Sequence, residues 1–107
     1  MINLSSDKSL TPDAWELADF FKVFSDERRL KILLALLDKS LCVSHICEAV
    51  GMEQSAVSHN LAILKRANLV KCARSEKKMV YSIADEHVFR ILQTGLAHAE
   101  CLTEALQ

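Results

Sequence analysis

Gly51 separates two apolar, helix-forming segments by a gap of only three or four residues, and no other feature of the chain restricts its fold as tightly. The segment before it, about Val43 to Val50, is long enough for two helical turns; the one after it starts near Glu53 or Gln54 and runs to about Asn68. Glycine enters the left-handed conformation that ends a helix without a Cβ clash, and asparagine tolerates it, so Gly51 and Asn68 bracket the second segment. Two helices joined this tightly cross steeply, which is the geometry of a helix-turn-helix. Within the second helix Val57, Leu61, Ile63, Leu64 and the following Leu69 recur at helical spacing and face inward. Gln54, Ser55, Ser58, His59, Asn60 and Lys65 are then left outside. Short polar side chains let a helix enter a groove while offering hydrogen bonds to base edges, Asn and Gln to adenine, Ser and His to bases or phosphates. The bland alternative is a plain solvated helix face.

The segment after Asn68 favours the groove. LVKCAR and KMVYSI carry the β-branched and aromatic alternation of two strands, and the charged SEKK between them forms a hairpin tip. A basic hairpin directly after a recognition helix is the wing of a winged helix. Its Arg74, Lys77 and Lys78 supply salt-dependent affinity for a phosphate backbone. The formal charge of -1 conceals this, because residues 65 to 78 hold six basic residues against Glu76 alone, whereas residues 1 to 27 hold six acids against Lys8 and Lys22. A basic segment on a near-neutral chain points to an anionic partner.

Upstream, Thr11 is the expected cap of a first helix, with Pro12 at its first position and Leu10 stapled to Trp15. Trp15, Leu17, Ala18, Phe20, Phe21, Val23 and Phe24 cover so much of that helix that two bodies must bury it, its own core and a second subunit. Ser25 is the expected cap of a second helix, with Asp26 and Glu27 in its first turn, where the helix dipole favours acids. Leu30, Ile32, Leu33, Leu34, Leu36 and Leu37 make it the central helix of the core, and Asp38 to Ser40 end it. Residues 1 to 9 are unpatterned and read as a loose arm, leaving residues 10 to 107 as one domain. With two glycines and one proline there is little room for loops, so the expected class is mostly α with a small β-hairpin, about five helices and a two-stranded wing.

No apolar run approaches a membrane span and MINLSSDKSL lacks the layout of a signal peptide, so a cytoplasmic chain without membrane contact is expected. Cys42, Cys47, Cys72 and Cys101 form no CxxC pair and are expected to be reduced. The chain has no activated-nucleophile motif, no phosphate loop and too few glycines to build one, which argues against an enzyme or a small-molecule substrate. The last segment, DEHVFRILQTGLAHAEC, is a long helix carrying His87 and His98. Eleven residues at about 100° each return to nearly the same face, displaced by roughly 16 Å along the axis. The two histidines therefore share a face and cannot share one metal.

FSDERRLKILLALL, SAVSHNLAILKRANLV and KMVYSI together resemble the second helix, recognition helix and wing strand of the ArsR/SmtB family of bacterial metal-responsive repressors, and the likeness covers nearly the whole chain. It implies a homodimer through the first and last helices, bound to double-stranded operator DNA and released by metal. It also implies a ligand set, since Asp85, His87 and His98 fall on the D-x-H-x10-H pattern of its zinc and cobalt sensors. Those sensors place His or Glu three residues further on, where this chain has Cys101, an acceptable zinc ligand. Antiparallel helices across a two-fold axis then bring Asp85 and His87 of one subunit to His98 and Cys101 of the other, making two equivalent tetrahedral sites. Zinc is the expected cofactor, with Co2+, Ni2+ or Cd2+ as alternatives. In the family the second histidine also links to a backbone carbonyl near the end of the recognition helix, here towards Asn68. The family's other site, a cysteine pair at the start of the third helix, is reduced here to Cys42 followed by Ser44 and His45, and is expected to be absent. Cys47 and Cys72 read as small buried hydrophobes. Two rival readings remain on the same fold: a thiol-based redox or persulfide sensor using Cys101 with Cys42 or Cys72, and a metal-binding interaction module without regulatory DNA binding.

Overall fold

A computed structural model describes residues 10–106, with side chains described for 13–104; the expected arm, the Leu10 staple and the Thr11 cap lie outside those limits. The chain runs as α1 (Leu10–Phe24), α2 (Glu27–Ala35), β1 (Leu41–Cys42), α3 (Val43–Val50), α4 (Gln54–Arg66), β2 (Val70–Ser75), β3 (Lys78–Ile83) and α5 (Glu86–Leu106). Five helices and a wing are as expected, but the sheet has three strands in the order β1-β3-β2 rather than two. Leu41 and Cys42 pair antiparallel with Tyr81 and Val80. Two residues cannot display a period-2 pattern, so this strand exists only by virtue of its partner.

Local chemistry sets the element ends. Asp26, not Ser25, caps α2: its Oδ1 accepts from the backbone N–H of Arg28 at 2.9 Å and of Arg29 at 3.2 Å. Ser25 serves the helix before it, its hydroxyl donating to the Lys22 carbonyl at 2.9 Å. The half-buried Arg29 joins the two helices, Nε donating to Val23 O at 2.8 Å. α2 stops at Ala35, short of Asp38, and residues 36–40 turn the chain so that Leu41 reaches the sheet edge. Gly51 takes φ 68° and ψ 37° and closes α3 with a bond from its N–H to Cys47 O at 2.9 Å. Asn68, at φ 60°, closes α4 in the same way, with Leu69 N–H bonded to Leu64 O at 2.9 Å.

The core lies where α2, α3 and α4 meet. Ile32, Leu33, Ile46, Val57, Leu64 and Leu69 have no exposed surface. Leu69 and Val70 carry this core into the wing, and Val88 and Leu92 of α5 join it from the other end of the sheet. Among the described residues no helix is long and apolar enough to cross a membrane.

Leu33→Ala should cost about 2–5 kcal/mol, read from urea unfolding, because the wholly enclosed site has no route by which to collapse. The Asp26 carboxyl is held below its ordinary value of 3.8, first by the Arg29 N–H. A depressed folded-state value means that its contribution is full above the ordinary value and lost as the pH falls beneath it. Asp26→Asn, which keeps a capping oxygen but no charge, should flatten the acid limb of the melting curve by lowering neutral stability towards its acid value.

Candidate metal centre and nucleic-acid interface

α4 is held by one side and open on the other. Val57, Leu61 and Leu64 are buried, whereas Gln54, Ser55, Ser58 and His59 are exposed together along its first two turns. These four form a polar face at the N-terminal end of a helix that follows a tight turn, which is how a recognition helix meets a major groove. Asn60 departs from expectation. It is 7 % exposed, and its Nδ2 donates to the Ala56 carbonyl at 2.9 Å, so it packs against the helix interior and offers nothing to a base edge. Asn60 lies three residues after Val57 and four before Leu64, and that helical spacing sets it on the buried face.

The wing supplies the cations. In the β2–β3 hairpin Arg74 lies opposite Met79 and Ser75 opposite Lys78, with Glu76 and Lys77 at the tip and Glu76 at φ 58°. Arg74, Lys77 and Lys78 are all exposed. Lys65, near the end of α4, is exposed too, and the neighbouring Cys72 of β2 raises its pKa. Cys72 is half-buried and paired across the sheet with Tyr81. It lies beside Lys65 on the wing strand rather than in the core. Cys47, by contrast, packs against the core as expected.

α5 is continuous from Glu86 to Leu106. Asp85 caps it, Oδ1 accepting from Val88 N–H at 3.1 Å, and the same oxygen lies 3.5 Å from His87 Nδ1. The Val88 bond, with the neighbouring imidazole, holds the Asp85 carboxyl below its usual range. The Asp85 side chain is 55 % and that of His87 89 % exposed, so both are free to take a ligand. His98 and Cys101 are exposed on the same helix three to four turns away. Among the described residues no three of His, Cys, Asp and Glu converge within one protomer. A four-ligand centre built from α5 therefore requires two copies.

An apolar face accompanies these ligands. Trp15, Leu17 and Phe21 on α1 and Leu96 and Leu102 on α5 are between 39 % and 73 % exposed. Phe21, Leu34, Ile91 and Leu96 line an apolar cavity of about 350 Å³ between the two helices and α2. Large apolar side chains exposed contiguously on a small protein mark an association surface.

A model of the bacterial regulatory protein arsR family matches residues 26–71. The chain is 39 % identical over 89 residues to the HTH-type transcriptional regulator NmtR of Mycobacterium tuberculosis, covering 83 % of this chain and 74 % of that protein. The chain belongs to the ArsR family. To the transcriptional repressor SmtB homolog of Synechocystis it is 37 % identical over 87 residues, 81 % of this chain and 66 % of that protein. To the cadmium resistance regulatory protein CadC of Listeria innocua it is 30 % identical over 100 residues, 92 % and 84 % of the two chains. The homodimeric winged helix-turn-helix domain of Mb0332 from Mycobacterium bovis superposes with a TM-score of 0.84 at 29 % identity, covering 94 % of each chain. This ArsR-family chain is accordingly a winged-helix transcriptional repressor, not an enzyme, and its partners are operator DNA and a second copy of itself.

Phe21→Glu puts a charge into the apolar face and should yield a monomer by sedimentation while far-ultraviolet circular dichroism still reports the helices. A dimer that persists in this variant would place the association surface elsewhere.

Proposed function

We propose that this repressor is released from its operator by a transition metal, zinc first, held at two equivalent sites between the α5 helices of the dimer. The observation that carries the reading is the placement of four exposed candidate ligands, Asp85 and His87 at the start and His98 and Cys101 towards the end of one unbroken helix, beside an unpartnered apolar face. Asp85 and His87 of one protomer, with His98 and Cys101 of the partner subunit, make a set of two imidazoles, one carboxylate and one thiolate. That donor set fits a tetrahedral divalent cation and leaves no open position, which suits sensing rather than catalysis. When bound, the ion supplies a fixed crosslink between the two helices. CadC of Listeria innocua, named for cadmium resistance, supports a response in the same metal group.

Release occurs only if the ligands converge better in one dimer geometry than in another. Asp85 and His87 adjoin the end of the wing, and His98 lies near the far end of α5. Drawing these together across the two-fold axis shifts each winged domain against its mate and changes the distance between the two α4 helices. A link from His98 towards Asn68, where α4 ends, transmits the same shift; among the described residues the His98 imidazole makes no hydrogen bond that competes with it. On the DNA side, Gln54, Ser55, Ser58 and His59 read the groove, and Lys65, Arg74, Lys77 and Lys78 hold the backbone.

Zinc titrated into the dimer–operator complex should weaken binding by roughly 5- to 150-fold, the range of ordinary allosteric coupling. His98→Ala should abolish the response. The cobalt-loaded protein should show a thiolate-to-metal band in the near ultraviolet that Cys101→Ser removes. Unchanged affinity on titration, or a response lost only in Cys47→Ser, would sink the proposal. Separately, Lys77→Ala should lower the slope of log affinity against log salt by about 0.9, uniformly across operator sequences.

A further inference from the structure

Met79 is an apolar exception on a charged hairpin. Among the described residues, the other large apolar side chains that stand exposed lie on α1 or α5, whereas Met79 lies on β3 and is 40 % exposed. The face left for a second copy does not account for it, and the strand register shows which way it points. Met79 is paired with Arg74, Tyr81 with Cys72 and Ile83 with Val70, and the alternation of each strand sets all of these on one side of the hairpin. That side meets the core at Val70 and Ile83, is half-buried at Cys72 and Tyr81, and is exposed at Arg74 and Met79. Cys72 lies beside Lys65 of α4. Lys65 follows Ser58 by seven residues, two helical turns along the same side of α4. The exposed end of this hairpin face therefore continues the polar face of the recognition helix. Lys71, Ser75 and Lys78 fall on the opposite face of the hairpin.

We propose that Arg74 and Met79 form a shape-reading pair, which enters the minor groove beside the major groove taken by α4 and selects operators whose minor groove is narrow and A·T-rich at that place. A narrow minor groove carries an enhanced negative potential. A guanidinium sheds water more readily than an ammonium and suits such a site better. Among the described residues Arg74 makes no ion pair, so its charge is free for DNA. The flexible thioether of Met79 beside it packs on the apolar sugar walls, where a lysine would gain nothing. Lys77 at the tip and Lys78 on the other face stay on phosphates and add affinity without selectivity. Arg74 thus reads as well as holds, and the wing contributes specificity at base pairs that α4 does not touch.

The inference rests on the reading of α4 as the major-groove element. The test is selection of bound duplexes from a randomised pool by the full chain. Selected sites should share a core and, at a fixed distance outside it, a run of A·T pairs in either orientation, since the minor groove does not distinguish A·T from T·A. In a selected duplex, G·C pairs in place of that run should weaken binding about fivefold or more, the effect of an ordinary mismatch. Inosine·cytosine pairs, which lack the guanine N2 amino group and so present an A·T-like minor groove, should leave binding unchanged. Arg74→Lys should bind A·T and G·C flanks alike, Met79→Ala should narrow the difference between them, and Lys77→Ala should weaken every duplex equally. Both positions of the pair are exposed, and circular dichroism with sedimentation should report a native dimer for each variant. A selected core with random flanks, equal losses on G·C and inosine·cytosine flanks, or full discrimination retained by Arg74→Lys would each overturn the proposal. The absence of any selected core would overturn the α4 reading together with it, which tells the two failures apart.

Discussion

Everything outward-facing in this repressor depends on how the inner face of α4 is buried. Val57, Leu61 and Leu64 sit against α2 and α3 with essentially no exposed surface. Each such side chain contributes roughly 1.5–3 kcal/mol on burial. Differences in helix propensity among ordinary residues, at most about 0.7 kcal/mol each, cannot compete with that. The rotation of α4 about its own axis is thus set by its apolar stripe. Gln54, Ser55, Ser58 and His59 are presented to a groove as a consequence of what lies behind them.

Features with a local cause are legible in the sequence, and features that need a distant partner are not. The stripes of α2 and α4, the Gly51 and Asn68 stops and the alternation in β3 are local signals, and each predicts the element that forms. β1 has no local signal, because its two residues are defined by Tyr81 and Val80 some forty residues away. Residue type alone misplaces Asn60: a polar residue counts as outward, whereas its spacing from Val57 and Leu64 turns it inward and its carboxamide is satisfied by Ala56 O. The α2 cap falls on Asp26 rather than Ser25 because both are good capping residues and only the backbone path chooses between them.

α5 carries two demands that interfere with each other. Its apolar side is left for association with a second copy, and under the proposed metal reading its polar side must keep Asp85, His87, His98 and Cys101 exposed. One helix meets both because the ligand face and the Ile91–Leu96 face differ by rotation rather than by length. The proposed ligand set is legible only through the family pattern, and its convergence is not legible at all, since among the described residues no protomer contains it. That is also why Asp85 can serve as an ordinary helix cap in a lone chain. Its Oδ1 is engaged by Val88 N–H and lies beside His87 Nδ1.

The wing is the lightly held part of a fold whose core is rigid. At its base the wing is rigid: Leu69 and Val70 are core residues, and Ala84 N–H returns to Leu69 O at 3.0 Å. Beyond the base its outer edge is held by the two-residue β1. A perturbation at that pairing therefore tilts Arg74, Lys77 and Lys78 without disturbing Val57, Leu61 or Leu64. Cations at the tip of a lever lose phosphate contacts for a small angular change at its root. A fold of this size can thus respond to a signal while its core stays intact, because the least stable pairing in the sheet adjoins the element that carries the charge.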